Sequence, residues 1–282
     1  MNSSFRFAQL ARLAAVLALA AVVLPSGAFA QQKKTTAKRA KPAAEAPAGL
    51  LLQPSNGLPA ASAIIDRYIA AVGGRDAIAK RTSMSSTGSF EVPAAGLRGQ
   101  MRAYSAAPNK STVVISLPGM GEVKNGFDGT VGWSIDPAQG PSILQGKQLE
   151  ERRMDSDFYS VLHDPASFKS MTTDSLTVFE GKKAYLVRLV RPSGDETLEF
   201  FDVETGLLIG NRVTRDSPMG SIGVTTILAD YKDFGSGLKV PSRVTQRMMS
   251  GQELSFSIDS LELDKVDPAM FELPPEIKAL KP

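Results

Sequence analysis

Cysteine is absent from this sequence, and histidine and tryptophan occur once each. Without cysteine there is no disulfide framework, no thiol nucleophile and no thiol to carry a lipid anchor. With His163 as the sole histidine, metal sites built on histidine or cysteine clusters are excluded. A serine-histidine-carboxylate triad could run only through that residue. It stands in Leu162-His-Asp-Pro165, before a proline, where a histidine is expected to complement a helix C-terminus or face solvent. The glycine-bearing stretch Leu117-Pro-Gly-Met-Gly-Glu122 has no lysine-serine pair and no helix after it, so it reads as a hairpin loop rather than a phosphate cradle. No pair of carboxylates stands out from the scatter of acids. Nothing nominates a catalytic residue, a metal or a cofactor, and the chain is expected not to be an enzyme.

The N-terminal apolar run, Leu13 to Leu24, has 12 residues, well short of the roughly 20 that a spanning helix needs. Arg6 and Arg12 precede it, Pro25 and Gly27 break it, and Ala28-Phe29-Ala30 follows. That is the pattern of a cleaved secretory signal over residues 1–30, which predicts an exported protein, periplasmic or outside the cell. Residues 31–60 are rich in Ala, Pro, Lys, Thr and Gln with one short Leu50-Leu51-Leu52 patch, the composition of a disordered basic linker. Seven of the 32 basic residues but only one of the 29 acidic residues lie before residue 46, which leaves 25 against 28 beyond it. The basicity is a tail, and nucleic acid is therefore not an expected partner.

From residue 61 onward the spacing of apolar residues defines the elements. Ile64, Ile65, Tyr68, Ile69 and Val72 recur at helical intervals behind Ser62 as a candidate N-cap, and Gly73-Gly74 ends the run. Asp76 to Lys80 forms a second short turn. The period then changes to two, predicting strands near 83–93, 97–106, 110–117, 122–127, 130–136, 182–191, 196–202, 207–215, 222–232, 240–249 and 253–264. Short turns between them imply an antiparallel meander. In the last strand the apolar positions switch parity at Asp259-Ser260, as a β-bulge would require. One helical interruption spans 147–163, with Met154, Phe158, Val161 and Leu162 on one stripe and Glu150, Glu151, Arg152, Arg153, Asp155 and Asp157 elsewhere. It reads either as a packing helix or as a movable lid.

The stretch Asn125-Gly-Phe-Asp-Gly-Thr-Val-Gly-Trp-Ser-Ile-Asp136 holds the one tryptophan. Asp128-Gly129 is a strong hairpin signal. Strand alternation then places Trp133 with Val131 and Ile135 on the face opposite Gly132 and Ser134, and three apolar residues on one face are expected to look inward.

Gly99-Gln-Met-Arg-Ala-Tyr104, Ala107-Pro-Asn109, Phe127-Asp-Gly-Thr-Val-Gly-Trp133, Asp136-Pro137 and Val266-Asp-Pro-Ala-Met-Phe-Glu-Leu-Pro274 follow one another in an order that resembles the outer-membrane lipoprotein carriers of the LolA/LolB-like superfamily. The resemblance covers about residues 60–277. It implies a mainly β fold with helices: a curved antiparallel sheet forming an incomplete β-barrel over residues 61–282, covered by the N-terminal helix and the inserted amphipathic helix. It also implies a concave apolar surface that receives acyl chains, on which Met101, Phe127, Trp133, Met154, Phe158 and Leu162 would touch the ligand. The implied partners are a lipid or an acylated protein, or another envelope protein, with peripheral membrane contact at most. Where the carriers have an arginine before the Pro-Asn step this chain has Ala107, so shape is better supported than lipoprotein trafficking. Two other readings stay open: an interaction or sensor module with a filled core, and a hydrolase.

Overall fold

A computed structural model describes residues 57–217, 220–249 and 251–281. The expected signal, residues 1–30, and all of the expected linker before residue 57 lie outside these. After the helices α1 (Ala61–Ala71) and α2 (Arg75–Ala79) come six strands: β1 (Ser83–Val92), β2 (Leu97–Ala106), β3 (Lys110–Leu117), β4 (Gly121–Phe127), β5 (Gly132–Asp136) and β6 (Gly140–Ile143). Helix α3 (Gly146–Asp155) and two short 3₁₀ turns lead to β7 (Ser170–Phe179), β8 (Lys182–Val190), β9 (Glu196–Asp202), β10 (Leu208–Ser217), β11 (Gly220–Asp233), β12 (Lys239–Met248) and β13 (Glu253–Leu263). A last 3₁₀ turn and α4 (Pro275–Lys278) close the chain. All thirteen strands form one antiparallel sheet in the order β6-β5-β4-β3-β2-β1-β13-β12-β11-β10-β9-β8-β7. Every strand lies beside its sequence neighbour except at the centre, where the first strand pairs with the last. The sheet therefore has two wings, β1–β6 and β7–β13, joined by a β1–β13 seam, and its edges β6 and β7 do not meet. This is the expected open, mainly β architecture.

The eleven expected strands are all present, and two more exist. Both of the additional strands, β6 and β7, are the edges of the sheet. Gly140-Pro-Ser-Ile143 carries a proline, which an edge strand tolerates because one row of N–H groups needs no partner. Ser170-Met-Thr-Thr-Asp-Ser-Leu-Thr-Val-Phe179 is half-exposed and polar, so its alternation is weak. The expected bulge is real: Thr87 faces Ser260 and Gly88 faces Ile258, leaving Asp259 unopposed. A Cβ at residue 88 would lie 1.8 Å from the Ser257 carbonyl oxygen, so the bend closes only over a glycine.

Asp-Pro-Ala occurs three times and does the same work each time. The Asp136 carboxylate accepts from the Ala138 and Gln139 N–H groups at 2.7 and 3.1 Å. Asp164 and Asp267 accept from Ala166 and Ala269 at 3.0 and 2.9 Å. Proline has no N–H, so the first donor in the turn is two residues on, within reach of the aspartate side chain.

Two covers sit on the inner face. Helix α1 buries Ile64, Ile65, Tyr68, Ile69 and Val72, none more than 5% exposed. Its start is not capped by Ser62: the N-cap is Ala60, without a side-chain bond. The Thr173 hydroxyl on β7 instead donates to the Pro59 carbonyl at 2.7 Å, so a tertiary contact fixes the entry. Arg67 donates to the Val203 and Glu204 carbonyls, and the Lys239 N–H donates to the Val72 carbonyl at 3.0 Å. These contacts place α1 on the C-terminal wing.

The second cover differs from the single helix expected over 147–163. Helix α3 stops at Asp155, and its buried residues are the charged Arg152 and Asp155. The break is chemical. Ser156 is buried with its hydroxyl 2.7 Å from that of Ser111, and Asp157 accepts from the Tyr159 N–H at 3.1 Å, a local turn that competes with helix continuation. The apolar stripe then runs on in a strap, residues 156–168, through the 3₁₀ turn Ser160–Leu162.

Candidate ligand-binding site

The inner face of both wings and the two covers form one apolar cluster. It includes Met84, Phe90, Met101, Val113, Ile115 and Val123 from the N-terminal wing and Val187, Phe201, Leu228, Val244, Leu254 and Phe256 from the C-terminal wing. Apolar burial of this extent is the main stabilising term of such a domain. Of the residues expected at the site, Met101 lies within this cluster at 1% exposure, and Phe158 and Leu162 of the strap pack half-buried against it. Phe127 is fully buried and, paired with Ser111 across β3, shares the inner face. Met154 is half-buried on α3.

Trp133 is elsewhere. It faces Gly126 across the β4–β5 pair, which puts it on the outer face, in a separate small cluster with Leu273 and Ile277. A Cβ on residue 126 would come within 2.4 Å of the indole, so the ring rests on the bare backbone of that glycine. Strand parity correctly grouped Trp133 with Val131 and Ile135, which pack in the same cluster. The inference that an apolar triplet must look inward failed because the C-terminal segment supplies a second apolar surface outside. Gly126 opposite a tryptophan, together with Phe271, Leu273 and Ile277 at the end of the chain, was the available signal.

His163 is not a solvated cap. It is 2% exposed, in the left-handed region at φ 48°. Its Nδ1 lies 2.8 Å from the Val161 carbonyl and its Nε2 2.7 Å from Glu199 Oε2. A carbonyl can only accept, so Nδ1 carries a hydrogen. The Nε2–Glu199 contact then holds one proton between imidazole and carboxylate. Both ring nitrogens are thereby committed, and none remains to activate a hydroxyl nucleophile, which removes the histidine-based triad. Glu199 has no exposed side-chain surface. Its strand alternation, shared with Phe201 and opposite to Phe200, was the sequence signal that it points inward.

Around this pair the two covers meet. The Tyr68 ring of α1 stands edge-on to His163 at 6.0 Å and to Phe201 at 5.6 Å. The Tyr231 hydroxyl donates to the Leu208 carbonyl at 2.7 Å. Burial, and then the neighbouring Tyr68 and the Glu199 charge, push that hydroxyl well above its ordinary pKa. On the other wing, burial lowers the pKa of the Arg152 guanidinium while the Asp155 charge opposes the shift. Gly132 leaves room for α3 there: a Cβ would lie 3.0 to 3.3 Å from Leu144, Leu149 and Arg152.

One feature of the inner face was not foreseen. Glu199 on β9 faces Asn211 on β10, Asn211 faces Thr226 on β11, and Thr226 faces Gln246 on β12. Four polar side chains, 0%, 3%, 0% and 5% exposed, thus form a continuous row across a mainly apolar face. Among the described residues there is no group of three metal-ligating side chains, and no helix is long and apolar enough to cross a membrane.

No protein-family model matches the sequence, and no curated protein matches it. Solved structures do. A LolA superfamily protein from Nitrosomonas europaea superposes with a TM-score of 0.51 at 13% identity, covering 77% of this chain and 99% of that one. A DUF1329 family protein from Desulfovibrio piger gives 0.54 at 12% identity over 78% and 99% of the two chains. A protein from Vibrio parahaemolyticus described as an outer membrane lipoprotein-sorting protein domain gives 0.50 at 10% identity over 75% and 97%. The chain has a LolA-like fold.

Proposed function

We propose that this protein is a non-enzymatic carrier or binding module of the cell envelope for an apolar, lipid-like ligand or a lipidated protein. The observation that supports it best is the inner face itself: a largely apolar surface of an unclosed sheet, part of whose cover is a strap that packs Val161, Phe158 and Leu162 against it and adds isolated polar contacts. The Phe158 N–H donates to the Pro108 carbonyl at 3.0 Å, Tyr159 to the Arg81 carbonyl at 2.9 Å, and Ser156 meets Ser111. Met101, Phe127, Phe158 and Leu162, with Met154 at the margin, would touch the ligand; Trp133, on the outer face, is left out. The likeness to a lipoprotein-sorting domain agrees with this reading, as does the signal-like N-terminus, from which we infer export to the periplasm and a linker ahead of the domain.

Burying about ten methylenes yields roughly 8 kcal/mol, and association returns at least about 4 kcal/mol of that. A single acyl chain should therefore bind with a dissociation constant near the millimolar range, and a two-chain lipid more tightly. The test is displacement of a fluorescent palmitoyl probe, together with native mass spectrometry of protein taken from its own envelope. We expect saturable binding, weakened in Phe158→Asp while far-UV circular dichroism is preserved. A second reading, an interaction or sensor module with a filled core, draws on the near-complete burial of Met101 and Phe127. Absence of any acyl binding by the wild type would favour it.

A further inference from the structure

We infer that the row Glu199-Asn211-Thr226-Gln246 is an anchoring subsite for an uncharged, hydroxyl-bearing lipid head group. This rests on the carrier reading and deepens it. Three observations converge. The row is in register across four adjacent strands, so the side chains stand side by side on one face, spanning roughly 14 Å at the usual strand spacing. The cross-strand rows on either side are mainly apolar: Val213 faces Val224 and Val224 faces Met248 on one side, though the row ends on Thr197, and Leu228 faces Val244, which faces Phe256, on the other. Lastly, Asn211 Oδ1 and Thr226 Oγ1 are buried without a hydrogen-bond partner among the described residues.

Buried polar atoms left unmatched are costly and rare. A structural ladder would satisfy itself, and this one leaves an acceptor on Asn211 and a hydroxyl on Thr226 unmatched on the inner face. On the N-terminal wing the comparable atoms make no such line: Ser86 Oγ and Asn125 Nδ2 share a cross-strand row but are separated in it by Ala103 and Val113, and Ser105 Oγ lies on the next row. The chemistry of the head follows from the row. The open amide oxygen needs a donor, which a hydroxyl supplies and a simple ester does not. The Glu199–His163 pair at one end of the row holds a carboxylate without solvent exposure; an anionic head would have to be buried beside it without a cation of its own, which is prohibitive. A glycerol or sugar head, with neighbouring hydroxyls a few ångströms apart, fits both requirements, and its acyl chain would lie along the apolar face toward Phe256 and Met101.

The experiment compares 1-monopalmitoylglycerol, methyl palmitate and palmitate on the wild type, Thr226→Val and Asn211→Leu by displacement of the same fluorescent acyl probe. The first two ligands share the chain and the ester and differ in the hydroxyl donors. We expect the wild type to prefer monopalmitoylglycerol over both others. Each variant should lose about fivefold or more for monopalmitoylglycerol and stay within about twofold for methyl palmitate. Thr226→Val, which removes only the unmatched hydroxyl, should keep or raise the melting temperature of the ligand-free protein. Equal losses for both esters, or unchanged affinity for monopalmitoylglycerol in both variants, would overturn the subsite and leave the carrier reading standing. If the wild type binds none of the three, both fall together.

Discussion

The two wings of the sheet are covered in opposite ways. On the C-terminal wing α1 and its C-cap lay down five apolar or aromatic side chains, none more than 5% exposed, and hydrogen bonds from Arg67, Thr173 and Lys239 only pin its ends and flank. The strap that spans the N-terminal wing and reaches the other at His163 has one fully buried apolar residue, Val161. Phe158, Leu162 and Phe168 pack against the core half-buried, and the rest of its attachment is a serine pair, the Tyr159 hydroxyl, backbone bonds and the His163–Glu199 contact. Apolar contact is non-directional and grows with area. Polar fastenings are individually modest in net energy, because water replaces them on opening. A helix seated like α1 is therefore part of the core, and the strap, with less apolar area fully buried and more discrete hydrogen bonds, is the cover expected to open first.

That contrast can be broken at both ends. The largest expected effect is Ile69→Asp on α1. Burying a carboxylate in the shared cluster should cost at least about 4 kcal/mol, enough to abolish the cooperative thermal transition. Intermediate is Glu199→Ala, which strands His163 in an apolar site. A loss of about 3 kcal/mol is expected, and it should be concentrated in the strap: hydrogen exchange should rise over 156–168 far more than over 61–71. Equal exchange in both covers would mean that the strap is as integral to the core as α1. The smallest effect belongs to the seam where the wings meet. Asp264 accepts from the Thr82 N–H at 2.7 Å and pairs with Arg81 at 3.1 Å. Burial works to raise its pKa, but the bonds from Thr82 and Arg81 outweigh that and hold it below the usual carboxylate value. A depressed carboxylate stabilises the fold at neutral pH, and this contribution is lost as pH falls through the carboxylate range. Asp264→Asn should thus lower the melting temperature slightly at pH 7, and the difference from wild type should vanish in acid.

The strands with neighbours on both sides were legible from alternation, and the bulge at Asp259 from a single change of parity, because a strand with one buried face writes its geometry in a period of two. The two edge strands were not, since Pro141 and the Thr-rich β7 satisfy weaker constraints. The strap was misread as helix because its stripe keeps helical spacing; the Asp157 turn that breaks it is local, but the Ser156–Ser111 bond beside it joins residues 45 positions apart. The same limit hid the polar row. Glu199, Asn211, Thr226 and Gln246 each look like an ordinary polar position, and only the register of four strands brings them into line. Glu199 was the one readable member, through its shared parity with Phe201.

The β1–β13 seam also bears on how the chain reaches this structure. Within each wing every pairing is a local hairpin, cheap to close. The seam instead joins residues such as Thr87 and Ser260, 173 positions apart. Contacts of that separation raise contact order and slow folding, because loop-closure entropy is spent before they form. Until β13 has been made and docked, β1 presents a bare strand edge, the kind of surface that recruits other chains. The steps before the seam closes are therefore the interval in which this protein is expected to be most open to aggregation, and closing it requires that residue 88 carry no side chain, since Ser257 occupies that space.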